Sequence, residues 1–209
     1  MSTELAEIKL YYDFKSPFTY LAMGPAYHLM ETHRVRIRYI PHVFDFKAYG
    51  GELPNRTERD WRKVRYLYRD VRRFANERGI IIRGPERLFD SRLALKAGMW
   101  ADKHSMFRPF ADRVFERFFK RELNIEDVGA LRAIMDEIGL ESAGFAHYAD
   151  HEALGDLEQA AAEAERDEVF GVPTFIVDGE PFWGNDRVVW LVKKLDTMGL
   201  RREGAGAAR

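Results

Sequence analysis

Two short segments hold residues whose types and spacing suit them to one piece of chemistry. In the first, an apolar run from Leu10 to Phe14 passes through Lys15 into Ser16-Pro17-Phe18, where a helical pattern begins. In the second, Gly171-Val172-Pro173 opens the apolar run Thr174-Phe175-Ile176-Val177. Ser16 has the place of a helix N-cap and Pro17 that of the first helical residue, where a missing N–H costs nothing. Such a helix start offers unpaired N–H groups and a positive dipole end, both favouring an anion, and serine adds a neutral hydroxyl donor. The 209 residues contain no cysteine. Disulfide exchange is therefore excluded, because it needs a protein thiolate. If this site works on sulfur, the sulfur arrives with a ligand.

The energetics of such a site are modest. A free thiol with a pKa of about 8.5 is only a few per cent ionised at neutral pH. Lowering that pKa by about 2 units requires a preference of about 2.7 kcal/mol for the thiolate. A helix terminus and one hydroxyl donor together reach that range. Lys15 would add positive charge if it turned inward, but at its position the expectation is that it faces water.

The remaining composition is that of a globular protein: 46% hydrophobic, 32% charged, with a formal net charge of −1. No global field recruits nucleic acid or an anionic membrane. Residues 1–7 carry no basic region and no apolar run of signal-peptide length, and no segment approaches a membrane span. With the absence of cysteine, the expectation is a cytoplasmic protein without membrane partners.

The elements that must position the two segments follow from periodicity. Ile8, Leu10, Tyr12 and Phe14 alternate with Lys9, Tyr11 and Asp13, and Val35, Ile37 and Tyr39 alternate with Arg36 and Arg38. With a helix between them, bent at Gly24-Pro25, these strands form a βαβ unit. From about Phe44 to Phe170 the spacing is helical: Trp61 to Ala75, Leu93 to Ala101, Phe107 to Phe118, Val128 to Ile138, then Ser142 to Arg166 with a break near Asp150. Strands return at 174–177 and 180–183 around Asp178-Gly179, a hairpin pair. Gly184-Asn185-Asp186 opens a last helix, and a free tail is expected from Arg201. Neither strand-bearing end buries its apolar face alone, so both share one sheet. The expected organisation is discontinuous: residues 1–44 and 171–209 as one unit, with residues 45–170 a helical insertion.

Three motifs in this order resemble the DsbA-like branch of the thioredoxin superfamily, and more narrowly the group of 2-hydroxychromene-2-carboxylate isomerases and kappa-class glutathione transferases. They are Tyr12-Asp13-Phe14-Lys15-Ser16-Pro17-Phe18, Gly171-Val172-Pro173-Thr174-Phe175 and Phe182-Trp183-Gly184-Asn185-Asp186-Arg187; Lys63 to Asp70 is similar to the family's lysine-bearing second helix. The resemblance implies an α/β thioredoxin-like fold with a large helical insertion, a catalytic serine at Ser16 where redox relatives hold cysteine, and a cis proline at Pro173. It further implies glutathione as cofactor, held by Ser16, Val172, Pro173, Asn185 and Asp186, with Lys63 near its glycyl end and Asn55 within reach. The implied reaction is cis–trans isomerisation of an aromatic-derived small molecule by reversible thiolate addition to an activated double bond, in a homodimer. Two departures bear on the substrate: Lys15 stands where smaller residues are usual, and the segment after Phe44 lacks the family's glycine-rich pattern.

Other readings remain beside this one. Ser16 alone reads equally as a helix cap, and Asp186 as a carboxylate neutralising a helix start. A kappa-like transferase, or a non-catalytic module holding an extended peptide between Ser16 and Pro173, uses the same groove. The cations from Arg56 to Arg73 go around their helix and read as a solvated face, and His147 with His151 lacks a third metal ligand. Phe107, Phe110 and Phe118 read as core.

Overall fold

The computed structural model describes residues 5–44 and 56–204. β1 (Ala6–Tyr12), α1 (Pro17–Thr32) and β2 (Val35–Pro41) form the βαβ unit, and β3 (Thr174–Val177), β4 (Glu180–Trp183) and α8 (Val188–Thr197) complete the sheet and its cover. Between them stand α2 (Glu58–Glu77), α3 (Arg92–Lys103), α4 (Phe107–Lys120), α5 (Val128–Glu137), α6 (Phe145–His151) and α7 (Ala153–Arg166). The sheet order is β2-β1-β3-β4. β1 runs parallel to β2, from Ala6 opposite Val35 to Tyr12 opposite Pro41, and antiparallel to β3, with Leu10 opposite Phe175. This is the thioredoxin-like arrangement expected from the residue pattern, with the two ends of the chain in one sheet. The hairpin falls where Asp178-Gly179 placed it: both residues have positive φ, 52° and 74°, the requirement of a two-residue turn matching strand twist.

The alternation in β1 decides which residues enter which layer. Ile8, Leu10 and Tyr12 join a large core with α1, α8 and the inserted helices, including Phe110, Phe115, Ile134 and Phe145. Tyr11 points the other way and packs with Ile40, Val172, Ile176 and with Ala160 and Ala164 of α7. On that second face Lys9 pairs with Glu163 at 2.8 Å and Asp167 at 2.5 Å, while the Tyr11 hydroxyl donates to Asp167 at 2.6 Å. Arg38 forks between Glu163 and Glu7. The Arg38 guanidinium, with Lys9 beside it, pulls the Glu163 carboxyl down to about 2.

The end of β1 is wedged among aromatics. Tyr12 and Phe14 meet edge-on with centroids 5.3 Å apart, and Phe14 lies 4.9 Å from Phe115. Phe107, Phe110 and Phe118 are buried core, as read. Gly98 of α3 lets this wedge close, because a Cβ there would sit 2.5 Å from the Tyr12 hydroxyl oxygen.

Pro25 does not end α1, which runs on to Thr32. Proline lacks the N–H that would donate to Leu21 C=O one turn back. The Arg78 guanidinium, at the end of α2, donates to that carbonyl instead. Two expectations are corrected. A 3-10 turn over Asn185–Arg187 precedes α8, which tucks Asn185 inward. The chain from Leu200 to Arg202 is not free: Arg34 N–H donates to Leu200 C=O at 2.7 Å, Arg202 N–H to Thr32 C=O at 2.9 Å, and Arg201 pairs with Asp196. These contacts satisfy backbone groups at the turn between α1 and β2.

Two outcomes follow. Arg78→Ala should lower stability by about 1 kcal/mol by orphaning the Leu21 carbonyl, read as a lower denaturation midpoint with unchanged denaturant slope; no loss would mean water replaces the guanidinium. The Glu163 carboxyl is held below its ordinary value of 4.5, so its stabilising contribution is complete above that value and lost as pH falls toward about 2. Glu163→Gln should therefore flatten acid unfolding within that window by circular dichroism, and an unchanged profile would show that the pairing does not contribute.

Candidate functional site

Ser16 caps α1 with extended backbone (φ −90°, ψ 113°), and its Oγ accepts the Thr19 N–H at 3.2 Å. The same hydroxyl donates to Val172 C=O at 3.4 Å, across 156 positions of sequence. The Val172–Pro173 bond is cis, and both residues are buried. The two segments singled out at the start therefore meet at one oxygen. The first turn of α1 contains no acidic residue, so its positive end is uncompensated by the helix itself.

The third motif is tied to the second. Gly184 N–H donates to Pro173 C=O at 2.9 Å, and the 3-10 turn that follows packs on α1. Asn185 is 4% exposed, and its Nδ2 has no partner. A buried amide donor without an acceptor is costly unless something else supplies one. Asp186, the next residue, faces solvent and pairs with Arg187 at 3.3 Å. Ser16, Val172, Pro173 and Asn185 are thus brought together, with Asp186 at their edge. Lys63 is exposed on α2, whose buried residues are Val71 and Ala75. Asn55 lies outside the described residues, as does most of the segment after Phe44.

Residues that the sequence reading did not single out complete the surroundings. Asp13 is fully buried; its carbonyl accepts Ser16 N–H at 3.0 Å, and its carboxylate accepts the N–H groups of Lys15 at 3.1 Å and Phe44 at 2.9 Å. Burial pushes its carboxyl up, against the opposing charge of Lys15 and those two N–H groups. The signal for Asp13 was present: an acid inside an apolar run has to be satisfied locally. Lys15 corrects its expectation. Its side chain is 7% exposed and its ammonium lies 3.6 Å from Asp13 Oδ2. Burial holds the His42 imidazole low, helped by Lys15 and opposed by Glu165. At the rim, Phe170 and Trp183 are exposed and meet edge-on with centroids 4.8 Å apart. They immediately precede the Val172-Pro173 and Asn185 segments, and nothing in their spacing along the chain announces that contact.

A separate crevice of about 550 Å³ lies between β2, α3 and α7, lined by Arg38, Tyr39, Asp102, Lys103, Glu163 and Arg166 among others. It holds none of the candidate residues. Donors, a helix terminus and, on the adjoining 3-10 turn, an amide without an acceptor are instead grouped at the Ser16–Val172 junction. No group of three or more metal-ligating side chains occurs among the described residues, and no helix among them is long and apolar enough to cross a membrane.

Residues 7–196 match the family model of a DSBA-like thioredoxin domain. The chain is 30% identical over 192 residues to 2-hydroxychromene-2-carboxylate isomerase of Pseudomonas putida, covering 88% of this chain and 91% of that protein. It is 26% identical over 186 residues to the protein of the same name from Sphingobium xenophagum, covering 88% and 95%. The solved structure of a 2-hydroxychromene-2-carboxylate isomerase superposes with a TM-score of 0.76 at 25% identity, over 92% of this chain and 96% of that one. By its sheet order, its Ser16–Val172 junction and the span of these matches, this chain belongs to the DSBA-like thioredoxin family.

Proposed function

We propose that this protein is a glutathione-dependent isomerase of the 2-hydroxychromene-2-carboxylate type, acting on an aromatic-derived substrate. The reading rests on one observation above others: a serine hydroxyl, in a chain without cysteine, bridges the N-terminus of α1 and the Val172 carbonyl. Relatives at 30% and 26% identity are named 2-hydroxychromene-2-carboxylate isomerase, which supports the isomerase part of the reading, and the orphaned Asn185 amide supports a polar ligand beside the junction.

The residues fit the tripeptide. Asn185 Nδ2 lacks an acceptor that a ligand carboxylate or carbonyl supplies, and the backbone of Val172 suits an extended peptide. Asp186 at the edge suits a ligand amine. When bound, glutathione supplies the thiolate that adds reversibly to an activated double bond. The part of this chain is electrostatic: the N–H groups of the first turn of α1 favour an anion, and Ser16 Oγ, rotating away from its long contact to Val172, donates to it. The aromatic pair Phe170–Trp183 offers an apolar surface next to that anion.

Ser16→Ala should leave the fold intact apart from about 1 kcal/mol of lost capping. Turnover should fall about a hundredfold, the scale for removing one donor to a developing anion, and the ultraviolet thiolate absorbance of bound glutathione should shrink. Unchanged kinetics and absorbance would remove the serine from the mechanism. Free glutathione should be recovered in full after many turnovers; accumulation of a stable thioether would reassign the protein to group transfer. Peptide binding without glutathione binding would reassign it to the non-catalytic module.

A further inference from the structure

We propose that Lys15 is a positioning residue: its inward-turned ammonium keeps the Asp13 carboxylate ionised, and that carboxylate holds the turn presenting Ser16. The inference rests on the reading of Ser16 as the reactive hydroxyl.

Asp13 is the knot of this turn. Its carbonyl takes the Ser16 N–H, one carboxylate oxygen takes the Lys15 N–H, and the other takes the Phe44 N–H from the segment after β2. All of this happens at 0% exposure. An ionised carboxylate is a strong acceptor on both oxygens, which suits two backbone donors; a protonated one leaves one of those donors facing a weakly accepting hydroxyl oxygen. Losing the charge therefore loosens either the start of α1 or the segment beyond β2. Burial favours that loss, and the groups opposing it are the Lys15 charge, the two N–H donors and the Ser91 hydroxyl. The backbone donors are present in any variant. The Lys15 ammonium, 3.6 Å away and 7% exposed, is the part that a side-chain change removes.

Among the described residues, the other charged and titratable groups around the pair do not replace it. Tyr12 of β1 is neutral, its hydroxyl pushed far up by burial. His42, after β2, is held low by burial, with Lys15 adding to that and Glu165 of α7 opposing it. Asp90, before α3, is paired with Arg92 at 2.7 Å and adds a negative charge near Lys15. Ser91, before α3, brings a buried, uncharged hydroxyl that makes no hydrogen bond and carries no charge to replace the ammonium. The cation ion-paired to Asp13 among the described residues is Lys15.

The test follows the Asp13 carboxyl carbon by NMR across pH in the full chain, for wild type, Lys15→Met, Lys15→Gln and Lys15→Arg. In parallel, the thiolate absorbance of bound glutathione is followed over the same range. An opposite charge at this distance lowers a carboxyl pKa by about 1–3 units. In Lys15→Gln, which keeps a hydrogen-bonding partner for Asp13 should Lys15→Met not fold, the Asp13 titration and the acid limb of thiolate absorbance should move up together by about 1 unit or more. At the wild-type midpoint that is about a tenfold fall in the ratio of ionised to protonated carboxyl. Lys15→Arg should restore both. An Asp13 titration unmoved in Lys15→Gln, or an acid limb identical in all four proteins, overturns the inference. Failure of wild type to bind glutathione would sink the proposed cofactor instead, and the Asp13 titration would still decide the role of Lys15.

Discussion

One hydroxyl oxygen joins the two halves of this protein. Ser16 Oγ accepts from Thr19 within α1 and donates to Val172 at the mouth of β3, so its position depends on both ends of the chain being in the same sheet. That sheet in turn depends on β1, which pairs with β2 on one side and β3 on the other. Everything else either holds β1 in place or turns the chain from it into α1. The aromatic wedge of Tyr12 and Phe14 does the first. Asp13 does the second, and it does so from full burial, where an acid is tolerated only with its donors and counter-ion in place.

The site is consequently electrostatic in design and poor in reactive side chains. It contains a hydroxyl, a helix terminus, a backbone carbonyl and an amide without an acceptor. None of these is a nucleophile strong enough to begin covalent chemistry unaided. Each is suited to hold a charged atom that belongs to something else. A thiol at position 16 would supply its own nucleophile; under the proposed function the serine serves a nucleophile that a ligand brings.

Several features of the architecture follow from satisfying backbone groups that special residues leave open. Pro25 frees a carbonyl inside α1, and Arg78 from α2 fills it. The turn after α1 is closed by the strand-like segment Leu200–Arg202. The outer face of the sheet is covered by α7, clamped through Lys9, Tyr11 and Arg38 to Glu163 and Asp167. In each case the partner comes from an element distant in sequence.

The strands, the hairpin at Asp178-Gly179, the helical block and the serine cap were all legible from the amino acids alone, because each depends on periodicity, turn chemistry or a local hydrogen bond. The meeting of Ser16 with Val172 was legible only through resemblance, since no local rule relates residues so far apart. Which way Lys15 points, that Asn185 is buried with an unused donor while Asp186 faces water, and that Phe170 touches Trp183 were settled by packing. The physical reason is the same throughout. Backbone preference reaches a few residues along the chain, whereas the burial and pairing of a charged or polar side chain are set by whichever elements close around it.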